Sequence, residues 1–161
     1  MSFELDSTRG VYNHYGPRVT EGKFGGSVNS ESVIRVAQWD FDYNSLPAGG
    51  TSNLNFSIPA GATIVSARMI IDTAFTSTST TTDLTVGLEQ ANGTDIDLDG
   101  LLTAVNASET TIAVAGAVLI GTGDLVGKTI GAAAGELVVA PSTADLLTGT
   151  GRIVVEYTLD S

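Results

Sequence analysis

Trp39-Asp40-Phe41-Asp42-Tyr43 alternates aromatic with acidic residues, and the reading of the fold starts from this pentapeptide. Successive side chains of a strand point to opposite faces, so strict alternation marks a strand with one dry and one wet side. The same period recurs outward along the chain. Leu54-Asn55-Phe56-Ser57-Ile58 alternates and is closed by Pro59-Ala60-Gly61, and Ala67, Met69, Ile71, Thr73 and Phe75 share one face of the next segment. Leu84-Thr85-Val86-Gly87-Leu88 resumes the pattern. Ile153, Val155, Tyr157 and Leu159 then alternate with Arg152, Val154, Glu156 and Thr158, which predicts a closing strand.

Between these segments the signal is weaker. Thr76 to Asp83 is a polar run expected to form a loop, although threonine at this density also suits an exposed edge strand. Asp99 to Asn106 reads as a short helix capped by Asp99. Segments 110–120 and 125–140 are rich in Ala, Gly and Val and fit strands or a helix. Roughly eight strands separated by turn signals predict an all-β fold, a jelly-roll-like β-sandwich with an extended N-terminal arm and one short helix.

The chain has 161 residues, which suits a domain with a real core that buries about 70% of the surface of its unfolded chain. Only 16% of residues are charged, so stability is expected from packing rather than from ion-pair networks. Eighteen acidic against seven basic side chains give a net charge of −11. Affinity for phosphate backbones comes from clustered Lys and Arg, so nucleic acid is not an expected partner. The chain holds no cysteine, which excludes disulfides, thiolate metal sites and a cysteine nucleophile. Met1-Ser2-Phe3-Glu4-Leu5-Asp6 lacks the basic-then-apolar pattern of a signal peptide, and no stretch approaches the ~20 apolar residues that span a bilayer. Cytoplasmic synthesis and no membrane partner are therefore expected.

Composition divides the chain into an arm, residues 1–30, and a body, residues 31–161. Seven of the ten aromatics lie in the first 43 residues. Residues 1–36 balance Arg9, Arg18, Lys23 and Arg35 against Glu4, Asp6, Glu21 and Glu31, so all the acidic excess sits beyond them. The arm has no sustained period, and Gly10, Gly16, Pro17, Gly22, Gly25 and Gly26 interrupt every candidate element. Disordered tails are poor in aromatics, whereas this one carries Tyr12, Tyr15 and Phe24 between glycines. Those three read as apolar anchors on an extended arm whose contact surface is its own domain, a neighbouring subunit or another protein, with a disordered tail the remaining reading; Arg9, Arg18 and Lys23 are the cations of that arm, available to pair with carboxylates.

Few motifs point to chemistry. Gly121-Thr-Gly-Asp-Leu-Val-Gly127-Lys128-Thr129 resembles a phosphate loop, but the spacing requires glycine at position 122, which is threonine. A glycine turn with a solvated lysine is the reading. Asp95, Asp97 and Asp99 followed by Gly100 match the first half of a calcium loop. Asn106 stands where the bidentate glutamate belongs, so the three aspartates are a weak calcium candidate and read mainly as the wet side of a strand. His14, the sole histidine, lies in the arm. Asp40 with Asp42 supplies a carboxylate pair in sequence, yet the aromatics between them point to the opposite face, unlike a sugar-cleaving site. No enzymatic activity, catalytic residue or cofactor is expected.

Two stretches together resemble one family. Tyr12-Asn-His-Tyr-Gly-Pro-Arg-Val-Thr-Glu-Gly-Lys-Phe-Gly-Gly26 is similar to the start of small virion proteins of tailed bacteriophages. Ile58-Pro-Ala-Gly-Ala-Thr-Ile64, leading to Ile70-Ile-Asp-Thr-Ala-Phe75 and Leu84-Thr-Val-Gly-Leu88, is similar to the sandwich body of the same proteins. The resemblance implies a capsid decoration, or cement, protein: a structural, non-catalytic β-sandwich that trimerises on a phage head. It implies the major capsid protein as partner, contact through the arm, and a place on the capsid surface after synthesis in the bacterial host cytoplasm. A carbohydrate- or receptor-binding module of a fibre or adhesin is the alternative, and exposed aromatics on the body would mark it.

Overall fold

The structure, a computed structural model, describes residues 4–7, 10–14, 27–29, 34–46, 52–105 and 107–159, with the backbone alone for 4–7, 10–14, 27–29 and 52–56. The chain forms two compact units, residues 1–33 and residues 34–160. In the first, β1 (Glu4–Ser7), β2 (Gly10–His14) and β3 (Ser27–Asn29) pair antiparallel in the order β1-β2-β3. Strands of three to five residues are too short for alternation to declare itself, which is why the sequence showed no period here.

The second unit contains eight strands: β4 (Arg35–Asp42), β5 (Ser52–Ile58), β6 (Ala62–Ser77), β7 (Leu84–Glu89), β8 (Asp95–Leu102), β9 (Val118–Ile120), β10 (Gly135–Pro141) and β11 (Leu146–Leu159). They form two four-stranded antiparallel sheets, β4-β11-β6-β9 and β5-β10-β7-β8. The pairing is nested. The first strand of the unit pairs with its last (β4 with β11), then β5 with β10, β6 with β9, and β7 with β8. A long hairpin of this kind, rolled so that its halves share two sheets, is a jelly roll. The expected sandwich is therefore present, although β6 and β11 run for 16 and 14 residues.

Burial follows the alternation. In β4 the pattern is strict: Ala37, Trp39 and Phe41 face the core, and Gln38, Asp40 and Asp42 face water. Ile64, Ala67, Met69 and Ile71 of β6 and Ile153, Val155 and Tyr157 of β11 extend that inner face. Ile58, Leu84, Val86, Leu88, Leu137 and Val139 supply the opposing one. Each fully buried side chain of this size contributes roughly 1.5–3 kcal/mol. Phe41 stacks on Phe75, with ring centroids 5.7 Å apart. Phe75 in turn lies where a Cβ of Gly149 would stand, and Gly149 has a φ of 124°, so only glycine fits.

Two local expectations need correction. Thr73 is exposed, because β6 has one more residue than β11 between the pairs Ile71–Gly151 and Thr73–Thr150. This bulge flips the alternation before Phe75 returns to the core. Asp99 does not cap a helix: Asp95–Leu102 is strand β8, and the short helix α1 lies further on, at Glu109–Ile112. Both Leu101 and Leu102 are buried, since β8 carries several extra residues between its pairings with Leu88 and Val86 and bends there. The ambiguous segments separate into α1, the edge strand β9 and the central strand β10.

Candidate docking surfaces

Of the arm residues expected to bind a partner, Tyr12 falls in β2, opposite Leu5 of β1 and Asn29 of β3. Arg9, Tyr15, Arg18, Lys23 and Phe24 lie outside the described residues. His14 ends β2, opposite Ser27.

The two sheets of the body present chemically different outer faces. On β4-β11-β6-β9, Arg152 holds Asp72 through two nitrogens, Nη2 to Oδ1 at 2.8 Å and Nε to Oδ2 at 2.9 Å. Arg68 Nη1 donates to Glu156 Oε1 at 3.1 Å, and Ser66 Oγ donates to Glu156 Oε2 at 3.0 Å. Those two bonds, Ser66 first and then Arg68, hold the Glu156 carboxyl below its ordinary range. Two of the four cations of residues 34–159 (Arg68 and Arg152) lie on this face, beside Asp40, Asp42, Asp72 and Glu156, while Arg35 pairs in register with Tyr157 on the other side of the sheet. Exposed aliphatic side chains share the face, with Ile34 and Val36 near the β4 edge and Val118 and Ile120 on the β9 edge.

The strands of β5-β10-β7-β8 carry Glu89, Asp95, Asp97, Asp99 and Glu136 and not one cation. Glu136 pairs in register with Glu89, and Glu89 with Asp95, so three acids stand side by side across three strands. Like charges directly opposite one another destabilise a sheet. That arrangement is a property of the surface, not a contribution to stability.

The sequence motifs find structural employment. Gly121 and Gly123 lie where an added Cβ would meet backbone atoms of Leu101, Ala67, Gly100 and Asp99. Gly121 N–H donates to Ala67 O at 2.8 Å in one sheet, and Leu125 N–H donates to Gly100 O at 2.8 Å in the other. The segment is a seam joining the open edges of the two sheets, and Lys128 is exposed, as the turn reading expected. Asp95, Asp97 and Asp99 alternate along β8, where extended backbone sets alternate residues about 7 Å apart. Burial first, then the nearby Asp99 and Asp124, hold the Asp97 carboxyl above its ordinary value, while Asp97 Oδ1 accepts the Asp99 N–H at 3.3 Å. Among the described residues no three His, Cys, Asp or Glu side chains gather to hold a metal ion.

Asp40 and Asp42 border an open groove of about 390 Å³ with Phe41, Ser45, Asp72, Thr150 and Gly151. Asp42 has a local task, since its Oδ1 accepts the Ser45 N–H at 2.9 Å and caps the 3-10 turn Tyr43–Ser45. At the end where β6 turns into β7, hydroxyls and carboxylates knit three loops. Asp83 N–H donates to Ser142 Oγ, Thr143 Oγ1 donates to Thr81 O, and Glu109 N–H donates to Asp83 Oδ1. No described helix is long and apolar enough to cross a membrane. No aromatic side chain among the described residues is fully exposed: Trp39, Phe41, Phe75 and Tyr157 are buried and Tyr43 is half-buried.

No protein-family model matches the chain, and no curated protein matches it in sequence. Solved structures match in fold. A chain of the cyanophage Pam1 capsid asymmetric unit superposes with a TM-score of 0.61 at 14% identity, covering 89% of this chain and 98% of that one. A chain from the capsid of Ralstonia phage GP4 gives 0.58 at 19% identity, over 83% and 90% of the two chains. One from the acid-stable capsid of Helicobacter pylori bacteriophage KHP30 gives 0.55 at 19%, over 81% and 91%. At these identities the likeness is one of fold: this chain has the β-sandwich fold of components of phage capsids.

Proposed function

We propose that this chain is a structural virion protein that binds the outer surface of a phage capsid shell and stabilises it as a decoration, or cement, protein. The observation that carries the reading is the near-complete coverage of the matched capsid chains, at 90–98% of their length. Those chains are small ones, of about this size, as suits an accessory of the shell. The major capsid protein is the partner, the working form is a homotrimer, and the role is structural rather than catalytic. Residues 1–30 form the docking arm, with Tyr12, Tyr15 and Phe24 as anchors and Arg9, Arg18 and Lys23 pairing with shell carboxylates. Residues 31–161 form the body, which repels non-specific acidic contacts through its own charge.

A fibre or adhesin module that binds carbohydrate is less well supported, because the described body aromatics are inward or half-buried. The test is the heat resistance of undecorated, expanded heads from the matching phage, with and without saturating protein. Ligand that binds only the assembled shell raises its melting temperature by mass action. An unchanged melting temperature at saturating protein rejects the stabilising role.

A further inference from the structure

We propose that copies of this chain meet one another through the outer face of the β4-β11-β6-β9 sheet. The inference deepens the proposed homotrimer by naming its contact surface, and it rests on that reading.

Residues 37–161 account for the whole net charge of −11, so two bodies approaching at random repel. The β5-β10-β7-β8 sheet, with five acids on its strands and no cation, is the worst surface through which to meet a second copy. The opposite sheet mixes cations with its acids on the outer face, where Arg68 and Arg152 stand among Asp40, Asp42, Asp72 and Glu156, and both cations are already paired within the face, Arg68 with Glu156 and Arg152 with Asp72. Covering these pairs strands neither partner. Asp42 already accepts the Ser45 N–H and Asp40 stands in register beside Arg152, whereas covering a charge with no partner is strongly unfavourable. A partner recruited by charge needs unpaired ions to recognise; a copy of the same neutralised face does not.

The apolar content agrees. Val36 is 62% exposed on the β4 edge, and Val118 and Ile120 are 52% and 61% exposed on the β9 edge. Pairing in register sets Gln38, Val154, Arg68 and Ile120 in one row and Asp40, Arg152, Ile70 and Val118 in the next. Aliphatic groups thus flank the ion pairs on both sides. That arrangement gives an apolar contact with polar groups satisfied, the composition of a protein–protein interface rather than of an idle wet face.

The test measures the solution mass of the full chain by light scattering up to its highest soluble concentration. The wild type is expected to exceed one chain. Its association should strengthen as salt rises from about 0.01 M to about 0.15 M, because screening shortens from about 30 Å to about 8 Å and relieves the repulsion between acidic bodies. Val36→Asp and, separately, the double variant Val118→Asp with Ile120→Asp should each weaken association at least about tenfold while the chain still unfolds in one cooperative transition. Asp95→Ala, on the acidic sheet, should not. A wild type of single-chain mass overturns the inference, as does an oligomer indifferent to both edge variants or one that dissociates as salt rises. If the wild type is a single chain and the β9 variant alone loses binding to heads, the face belongs to the shell instead. Self-association without head binding would leave the inference standing and remove the decoration reading.

Discussion

Replacing Gly123 by alanine is the perturbation that separates the two meanings of the glycines at 121–127. An added Cβ at Gly123 falls inside the van der Waals shells of the Gly100 carbonyl carbon and oxygen and of the Asp99 oxygen. All are backbone atoms, so no side chain can swing aside. Overpacking costs about 1–3 kcal/mol where neighbours adjust, and fixed backbone places this substitution at the upper end, about 3 kcal/mol. Gly127 supplies an internal comparison: its φ is 82°, but nothing lies within 4 Å of an added Cβ. Gly127→Ala therefore bears only the left-handed penalty of about 1–2 kcal/mol. Gly131 has open space and no positive φ, so Gly131→Ala should be near neutral. At about 2–4 °C per kcal/mol, the losses in Tm are roughly 6–12 °C, 2–8 °C and none. Thermal melts followed by far-UV circular dichroism, with urea midpoints at constant m as a check, give the series. Equal melting of Gly123→Ala and Gly131→Ala would refute the packed seam. Phosphate binding by this loop would instead appear as a nucleotide-dependent rise in Tm of the wild type, which the seam does not produce.

Two further outcomes follow from the charged groups. Arg152→Ala removes a bidentate pair in which both partners are more than a third exposed, so it should lower the urea midpoint only slightly, with the difference shrinking at high salt; urea midpoints at two salt concentrations check this. Acid should act in opposite directions on two carboxylates. Glu156, held low by Ser66 and Arg68, contributes stability above the ordinary carboxylate range that is lost as pH falls through its folded value, and Glu156→Gln should abolish that slope. Asp97, held high by burial and by Asp99, contributes stability that is complete below the ordinary range and lost as pH rises through its folded value. Asp97→Asn should therefore raise stability at neutral pH and remove the gain on acidification, as read by unfolding midpoints between about pH 3 and pH 7.

The fold was legible where a strand has one clean buried face. Trp39 to Tyr43 and Ile153 to Leu159 announce β4 and β11 because each lays alternate residues on the core, although Val154, on the other side of the central strand β11, is buried as well. Legibility failed where register breaks. The bulge at Asp72 carries Thr73 off the core face, and the bend in β8 buries neighbouring Leu101 and Leu102, which mimics a helical stripe. β9 has three residues at a sheet edge, too few for a period to show.

The candidate surfaces were legible in part. Charge partition along the chain is visible from counting, but its segregation onto one sheet is not, because that depends on nested pairing between strands distant in sequence. Glu89 and Glu136 are 47 positions apart in the chain and adjacent in the sheet. The glycines at 121 and 123 resembled a ligand loop because close backbone approach to β8 demands the same residue type as close approach to a phosphate.

The central claim is docking to a capsid shell through the arm, and co-sedimentation with undecorated, expanded heads of the matching phage tests it most directly. Full-length chain, residues 31–161, and the full chain carrying Tyr12→Ala, Tyr15→Ala and Phe24→Ala are compared at equal concentration. The full chain is expected to bind saturably, residues 31–161 not at all, and the triple variant at least about tenfold more weakly. Equal binding by all three would place the contact on the body and contradict the role of the arm; no binding by any would contradict decoration itself.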